Sequence, residues 1–118
     1  MMIIYVYSKC STCQKAIRFL EQKKMVFVQK EITLTPPSVE ELKKMLKYKE
    51  GNIRKLFNTS GLLYKEMQLS QKLDEMSLDE AFNLLHKNGM LVKRPIFITN
   101  GKICVGFKAD EWKAAHRS

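Results

Sequence analysis

The 118-residue sequence predicts an α/β fold with a β-α-β opening, a mostly helical middle and a β-β-α close. Three observations predict it. Two apolar runs, residues 3–7 and 25–32, flank roughly 20 residues of helical spacing, enough for a crossover between parallel strands. Two Ser-x-x-Glu patterns, Ser38 with Glu41 and Ser77 with Glu80, each precede a helical apolar stripe. Near the end, the apolar runs 95–99 and 103–105 are separated by Asn100 and Gly101, a strong hairpin signal.

The elements follow in order. Ile3, Ile4, Tyr5, Val6 and Tyr7 form a β-branched and aromatic run that suits a buried strand. From Ser11 onward Cys13, Ala16, Ile17 and Leu20 recur at helical spacing. Val26, Phe27 and Val28 mark the second strand, and Pro36 with Pro37 ends that segment. Val39, Leu42, Met45 and Leu46 stripe the next helix. Gly51 and Asn52 break it, Ile53, Leu56 and Phe57 fit a helical turn or two, and residues 58–61 read as a turn. Leu78, Ala81, Phe82 and Leu85 stripe another helix, which Asn88 and Gly89 stop. A last short helix carries Trp112 and Ala115. The length suits one domain over 1–118, with a core of about 1–34 and 92–118 and a helical insertion of about 35–91.

Bulk composition narrows the function classes. No apolar run approaches the roughly 20 residues needed to span a bilayer, so no membrane role is expected. The apolar start lacks a basic segment and reads as a strand rather than a signal peptide. Three cysteines without a secretory signal point to a reducing cytoplasm. The net charge is +9. The basic residues are mostly Lys and spread along the chain, without an arginine block or a basic stripe interleaved with aromatics. That pattern suits a solvated lysine-rich surface, with a basic surface for an anionic partner as the alternative; direct nucleic-acid binding is not expected.

Cys10 and Cys13 carry the chemistry. A structural zinc site needs four ligands. Cys104, His86 and His116 are scattered and supply no second close pair, so no metal is expected. Cys104 reads as core, and the two histidines as surface residues near helix ends. Two inert buried thiols remain open for the pair. That reading fits Cys13, which lies on the apolar stripe, but not Cys10, which falls at the strand-to-helix corner. The redox reading has a mechanism. At a helix N-terminus the free N–H groups and the helix dipole stabilise the Cys10 thiolate and lower its pKa. Cys13 lies about one turn further on, within reach of a disulfide. Lys9 and Lys15 add positive potential. The same N–H groups, those of Ser11 and Thr12 among them, would also bind an oxyanion.

Longer stretches carry a resemblance: residues 10–16, 35–37, 57–61, 64–66, 88–96 and 105–108. On them the chain resembles the arsenate reductase/Spx family, of thioredoxin-like fold with a helical insertion. In thioredoxin-like folds a cis-proline at the start of the third strand lies against the active cysteine, so a cis Arg94–Pro95 bond is expected; a trans proline at a strand's first residue is the alternative.

The resemblance implies roles. In the glutaredoxin-coupled arsenate reductases a cysteine at the place of Cys10 attacks arsenate, and three arginines hold the oxyanion. Arg94 matches one of them. Asn58 stands at the second place, and Lys108 is the cation nearest the third. Val6 stands where that branch has a histidine. The Spx branch are regulators that bind the C-terminal domain of the RNA polymerase α subunit and use the cysteine pair as a switch. Gly51 stands where that branch has a glycine important for polymerase contact. The expected activity is therefore a thiol/disulfide-active reductase of an oxyanion or a disulfide. Cys10 would be the nucleophile, Cys13 the resolving thiol, Arg94 the anion-orienting group and Pro95 part of the pocket wall, with no cofactor. Glutaredoxin or thioredoxin would be the reductant. The rival is an Spx-like regulator.

Overall fold

The computed structural model describes residues Met1–Arg117. Strand β1 (Ile3–Val6) leads into helix α1 (Ser11–Gln22) and then strand β2 (Val28–Glu31). Helices α2 (Val39–Tyr48), α3 (Leu62–Glu66), α4 (Leu69–Lys72) and α5 (Leu78–Lys87) follow, with 3₁₀ turns at Ile53–Leu56, Leu73–Glu75 and Gly89–Leu91. Strands β3 (Ile96–Thr99) and β4 (Lys102–Val105) and helix α6 (Ala109–Arg117) close the chain.

The sheet order is β2-β1-β3-β4. β1 and β2 are parallel, and β1–β3 and β3–β4 are antiparallel. Strand alternation sorts the sheet into two faces. Tyr5, Ile96, Ile103 and Val105 join the core under α2 and α5, whereas Ile4, Val6, Phe97 and Cys104 join the core under α1 and α6. Trp112 closes the second core. Its ring stacks on Phe97 at 4.5 Å, and its indole N–H donates to the Gly106 carbonyl at 3.0 Å.

Local signals act as the sequence predicts. Both capping boxes form: Ser38 caps α2 and Ser77 caps α5, each with its Glu reaching back. Asn100 (φ +52°) and Gly101 (φ +74°) make the two-residue hairpin turn, whose primed geometry needs positive φ at both places. Replacing Ser38 by Ala strips one helix N–H of its acceptor. We expect a loss of about 1 kcal/mol, read as a lower midpoint in denaturant with an unchanged slope.

One expectation is corrected. β2 begins at Val28, later than the apolar cluster at 26–28 suggests, and Val26 is 87% exposed. Pairing with β1 sets this register, Ile3 opposite Val28, and an edge strand need not bury its apolar residues. The helix stops at Asn88 and Gly89 as expected, but Gly89 does not act through a left-handed φ. Its φ is ordinary, and a Cβ there would lie 1.9 Å from the Ile32 carbonyl oxygen. The glycine is required because two backbone segments touch.

Basic residues spread along the chain are partly gathered in space. The Lys49 ammonium is disfavoured first by burial and then by Lys108, Lys55 and Lys93, which lie on separate segments. Among the described residues no helix is long and apolar enough to cross a membrane.

Candidate active site

The chain turns sharply between β1 and α1. The Cys10 N–H donates to the Tyr7 carbonyl at 3.0 Å, and the Cys10 carbonyl accepts from Gln14 at 3.1 Å, the first bond of α1. Side chains brace this turn. The Ser8 N–H faces both Glu31 carboxylate oxygens at 3.2 and 3.3 Å, and Gln14 Nε2 donates to the Ser8 carbonyl at 3.1 Å. Cys10 is thereby fixed as the N-cap of α1 in extended geometry.

The two thiols have opposite environments. Cys10 is half-buried and Cys13 fully buried, and both are free thiols. Burial pushes the Cys10 thiol up. The Cys13 N–H, the Cys13 thiol, the Arg94 guanidinium and the Thr12 N–H outweigh burial together, so Cys10 lies below its ordinary value. No side-chain hydrogen bond of capping geometry is made. The ionised sulfur is the form that these N–H groups favour. Cys13 is pushed up to about 12, by burial first and then by the neighbouring Cys10, against the Tyr7 N–H and Arg94. The Tyr7 N–H points at Cys13 Sγ from 3.5 Å. One thiol is set to ionise and the other to hold its proton.

Arg94 reaches this pair from the opposite side of the insertion. The Arg94–Pro95 peptide is cis, and the buried Pro95 carbonyl accepts from the Gly106 N–H at 2.8 Å. The guanidinium carbon stands 4.8 Å from the Tyr7 ring centroid, and Nη1 donates to the Met90 carbonyl at 3.3 Å. Ser11 and Thr12 are exposed at the start of α1. Asn58 is held from its backbone, its N–H donating to the Leu91 carbonyl at 2.8 Å, and its amide packs close under Gly61. Lys108 pairs with Glu111 at 3.5 Å and faces a concavity shared with Tyr48, Lys49, Asn52 and Lys55. The interactions of Cys10 thus run to Thr12, Cys13 and Arg94, and those of Lys108 run elsewhere.

Tyr7, Gln14 and Glu31 are bracing residues that sequence reasoning missed. Only the fold brings Glu31, at the end of β2, to the loop before Cys10. A groove of about 800 Å³ lined by Tyr48, Ile103 and Cys104 lies apart from the thiol pair. Cys104 is buried among the α1–α6 core, and His86 Nδ1 donates to the Pro37 carbonyl at 2.9 Å. Among the described residues no group of three His, Cys, Asp or Glu side chains is arranged to hold a metal ion.

A model of the ArsC family matches residues 5–115. The chain belongs to the ArsC family. The uncharacterized protein YusI of Bacillus subtilis is 43% identical over 109 residues, 92% of each chain. The global transcriptional regulator Spx of Streptococcus mutans is 32% identical over 114 residues, 97% of this chain and 82% of the relative. Among solved structures, a possible arsenate reductase from Streptococcus mutans is 36% identical with a TM-score of 0.86, covering 96% of this chain and 98% of the other. This ArsC-family chain has the thioredoxin-like architecture expected from the sequence: the β-α-β and β-β-α halves share one sheet, with the helices of α2–α5 between them.

The thiols also set an alkaline limit to stability. Cys13 and Cys104 are acids whose folded pKa is raised, chiefly by burial. Their contribution is whole below the ordinary thiol value of about 8.5 and is lost as pH rises through the folded value. Cys10, with a depressed folded pKa, contributes above the ordinary value and loses that share as pH falls through the folded one. Thermal melts across about pH 7–11 should therefore show stability decline above about pH 9, and Cys104→Ala should flatten that decline.

Proposed function

We propose that this chain is a thiol/disulfide-active reductase in which Cys10 attacks an oxyanion or a disulfide and Cys13 resolves the adduct. The observation that carries the reading is the different placement of the thiols, Cys10 half-buried at the N-cap of α1 and Cys13 fully buried one turn in, which sets Cys10 below its ordinary value and Cys13 up to about 12. A nucleophile must be ionised at working pH, and a resolving thiol must not compete with it before the first step. Ser11 and Thr12 offer N–H groups at the helix start, Arg94 orients the bound group and Pro95 forms the pocket wall. Asn58 and Lys108 are candidate outer contacts. On an oxyanion, the Cys10 sulfur displaces an oxygen ligand. Attack by Cys13 on Cys10 Sγ then closes the disulfide and passes two electrons to the central atom. Glutaredoxin or thioredoxin would restore the dithiol in a reducing cytoplasm. No cofactor takes part.

The experiment is turnover with thioredoxin or glutaredoxin as electron donor, with arsenate or hydroxyethyl disulfide as substrate. Turnover on either substrate that requires Cys10 is expected. No turnover on both would overturn the reductase reading. A second reading is favoured by the likeness to the Spx regulator: the cysteine pair as a redox switch on a surface that binds the RNA polymerase α subunit. Redox-dependent binding to the isolated α C-terminal domain, without turnover, would select it.

A further inference from the structure

We propose that Tyr7 and the Met90 carbonyl lock the Arg94 guanidinium in place as the dedicated counter-ion of the Cys10 thiolate, so that the substrate is a disulfide rather than an oxyanion. This rests on the reading of Cys10 as nucleophile and names the substrate class of that site. Tyr7 sits at the junction of all the parts. Its carbonyl holds the Cys10 N–H at 3.0 Å, its N–H points at Cys13 Sγ from 3.5 Å, and its ring lies 4.8 Å from the guanidinium carbon. The guanidinium is a planar fork with five N–H donors. Its carbon stands over the Tyr7 ring, and Nη1 donates to the Met90 carbonyl at 3.3 Å. The guanidinium also hydrogen-bonds the Cys10 thiol, which favours its ionised form.

Cation supply then decides the substrate. A doubly charged tetrahedral oxyanion is held by several charge-assisted or bidentate donors. Arg94 acts on both thiols, and its fork is already divided between the Met90 carbonyl and the Cys10 sulfur. Lys108 is turned to Glu111, and Arg54 is paired with Asp74 at 2.7 Å. A disulfide is neutral and asks only for a thiolate, a line of approach and a stabilised leaving sulfur. The step balances. The Cys10 thiolate attacks one sulfur of R–S–S–R′, forming the Cys10–S–S–R bond as the S–S bond of the substrate breaks. R′S⁻ leaves and takes up the proton of Cys13. The Cys13 thiolate attacks Cys10 Sγ, RS⁻ leaves, and the two electrons lost by the protein thiols depart with the two substrate thiols as the protein disulfide closes.

The test uses Tyr7→Leu, Tyr7→Phe and Arg94→Lys in the full chain, with the pH profile of Cys10 alkylation followed on its own peptide. The second readout is the rate of attack on hydroxyethyl disulfide near neutral pH. We expect Tyr7→Leu to move the profile upward and slow the attack about three- to tenfold, the size of a cation–π contact. Phe at this position should restore the profile that Leu loses, because the ring and not the hydroxyl carries the guanidinium. Millimolar arsenate should leave wild-type alkylation unchanged. If Tyr7→Leu does not fold, Arg94→Lys, which keeps the charge but loses the planar fork, should give the same upward shift. An unchanged profile in the folded variants, or protection of wild-type Cys10 by arsenate, would overturn this inference and leave the reductase reading standing. A wild-type Cys10 that titrates as an ordinary thiol would overturn both.

Discussion

Replacing Cys10 by Ser should remove the proposed turnover, by on the order of 10³-fold or more, as expected for loss of a covalent nucleophile. Replacing Cys13 by Ser does something different. The first attack survives, because Arg94 and the Thr12 and Cys13 N–H groups still favour the Cys10 thiolate. The mixed disulfide then has no internal partner and accumulates. Mass spectrometry of the two variants after exposure to hydroxyethyl disulfide should show no adduct at position 10 in the first and one stable adduct in the second. The asymmetry follows from geometry. Cys10 caps α1 at a half-exposed corner, whereas Cys13 is fully buried one turn in. Equal behaviour of the two variants would mean that the thiols are interchangeable, which their environments do not allow.

Gly89→Ala is expected to be the most damaging glycine-to-alanine change. Its Cβ would fall 1.9 Å from the Ile32 carbonyl oxygen, 2.7 Å from the Ile32 carbonyl carbon and 3.2 Å from Thr33 Cα. All three are backbone atoms, so no side chain can swing aside. The two segments must part, and with them the 3₁₀ turn that ends in buried Leu91 and leads to Val92 and Arg94. Overpacking in a core costs about 1–3 kcal/mol when side chains can relax. Here the cost should reach at least about 3 kcal/mol, a large share of the roughly 5–15 kcal/mol that holds a domain together. A thermal melt should drop by about 10 °C or more. Because Arg94 follows this turn, Cys10 alkylation near neutral pH should also slow. By contrast, Gly51 and Gly101 have open space around the missing Cβ, and substitution there meets only the cost of positive φ.

What was legible in the sequence was local. Ser38 and Ser77 cap their helices because the partners, Glu41 and Glu80, lie three residues away. Asn100 and Gly101 turn the hairpin because the turn chemistry is carried by those two residues. The stripe Cys13, Ala16 and Leu20 faces the core as its spacing predicts. What was hidden was pairing at long range. Val26 looks like strand interior yet is exposed, since register with β1 decides where β2 starts. Gly89 carries a helix-stop signal, but its need comes from Ile32, across the insertion. Tyr7 reads as the end of an apolar run, and nothing in its neighbours says that Arg94 will lie on its ring. The lysines at 49, 55, 93 and 108 look evenly spread and only converge when folded. The site was half legible for the same reason. The Cys-x-x-Cys spacing and the helix start mark the thiols, while the braces Glu31, Gln14 and Tyr7 depend on tertiary structure.

In the proposed chemistry folding makes one ready nucleophile of Cys10 and one proton-holding partner of Cys13. Alkylation by iodoacetamide, followed separately on the peptides of Cys10 and Cys13 across pH, tests it most directly. The account predicts that Cys10 reaches half of its maximal rate below the ordinary thiol value of about 8.5, while Cys13 stays unreactive until the pH approaches about 12. A Cys10 profile centred at or above the ordinary value, or the two cysteines reacting together, would contradict it.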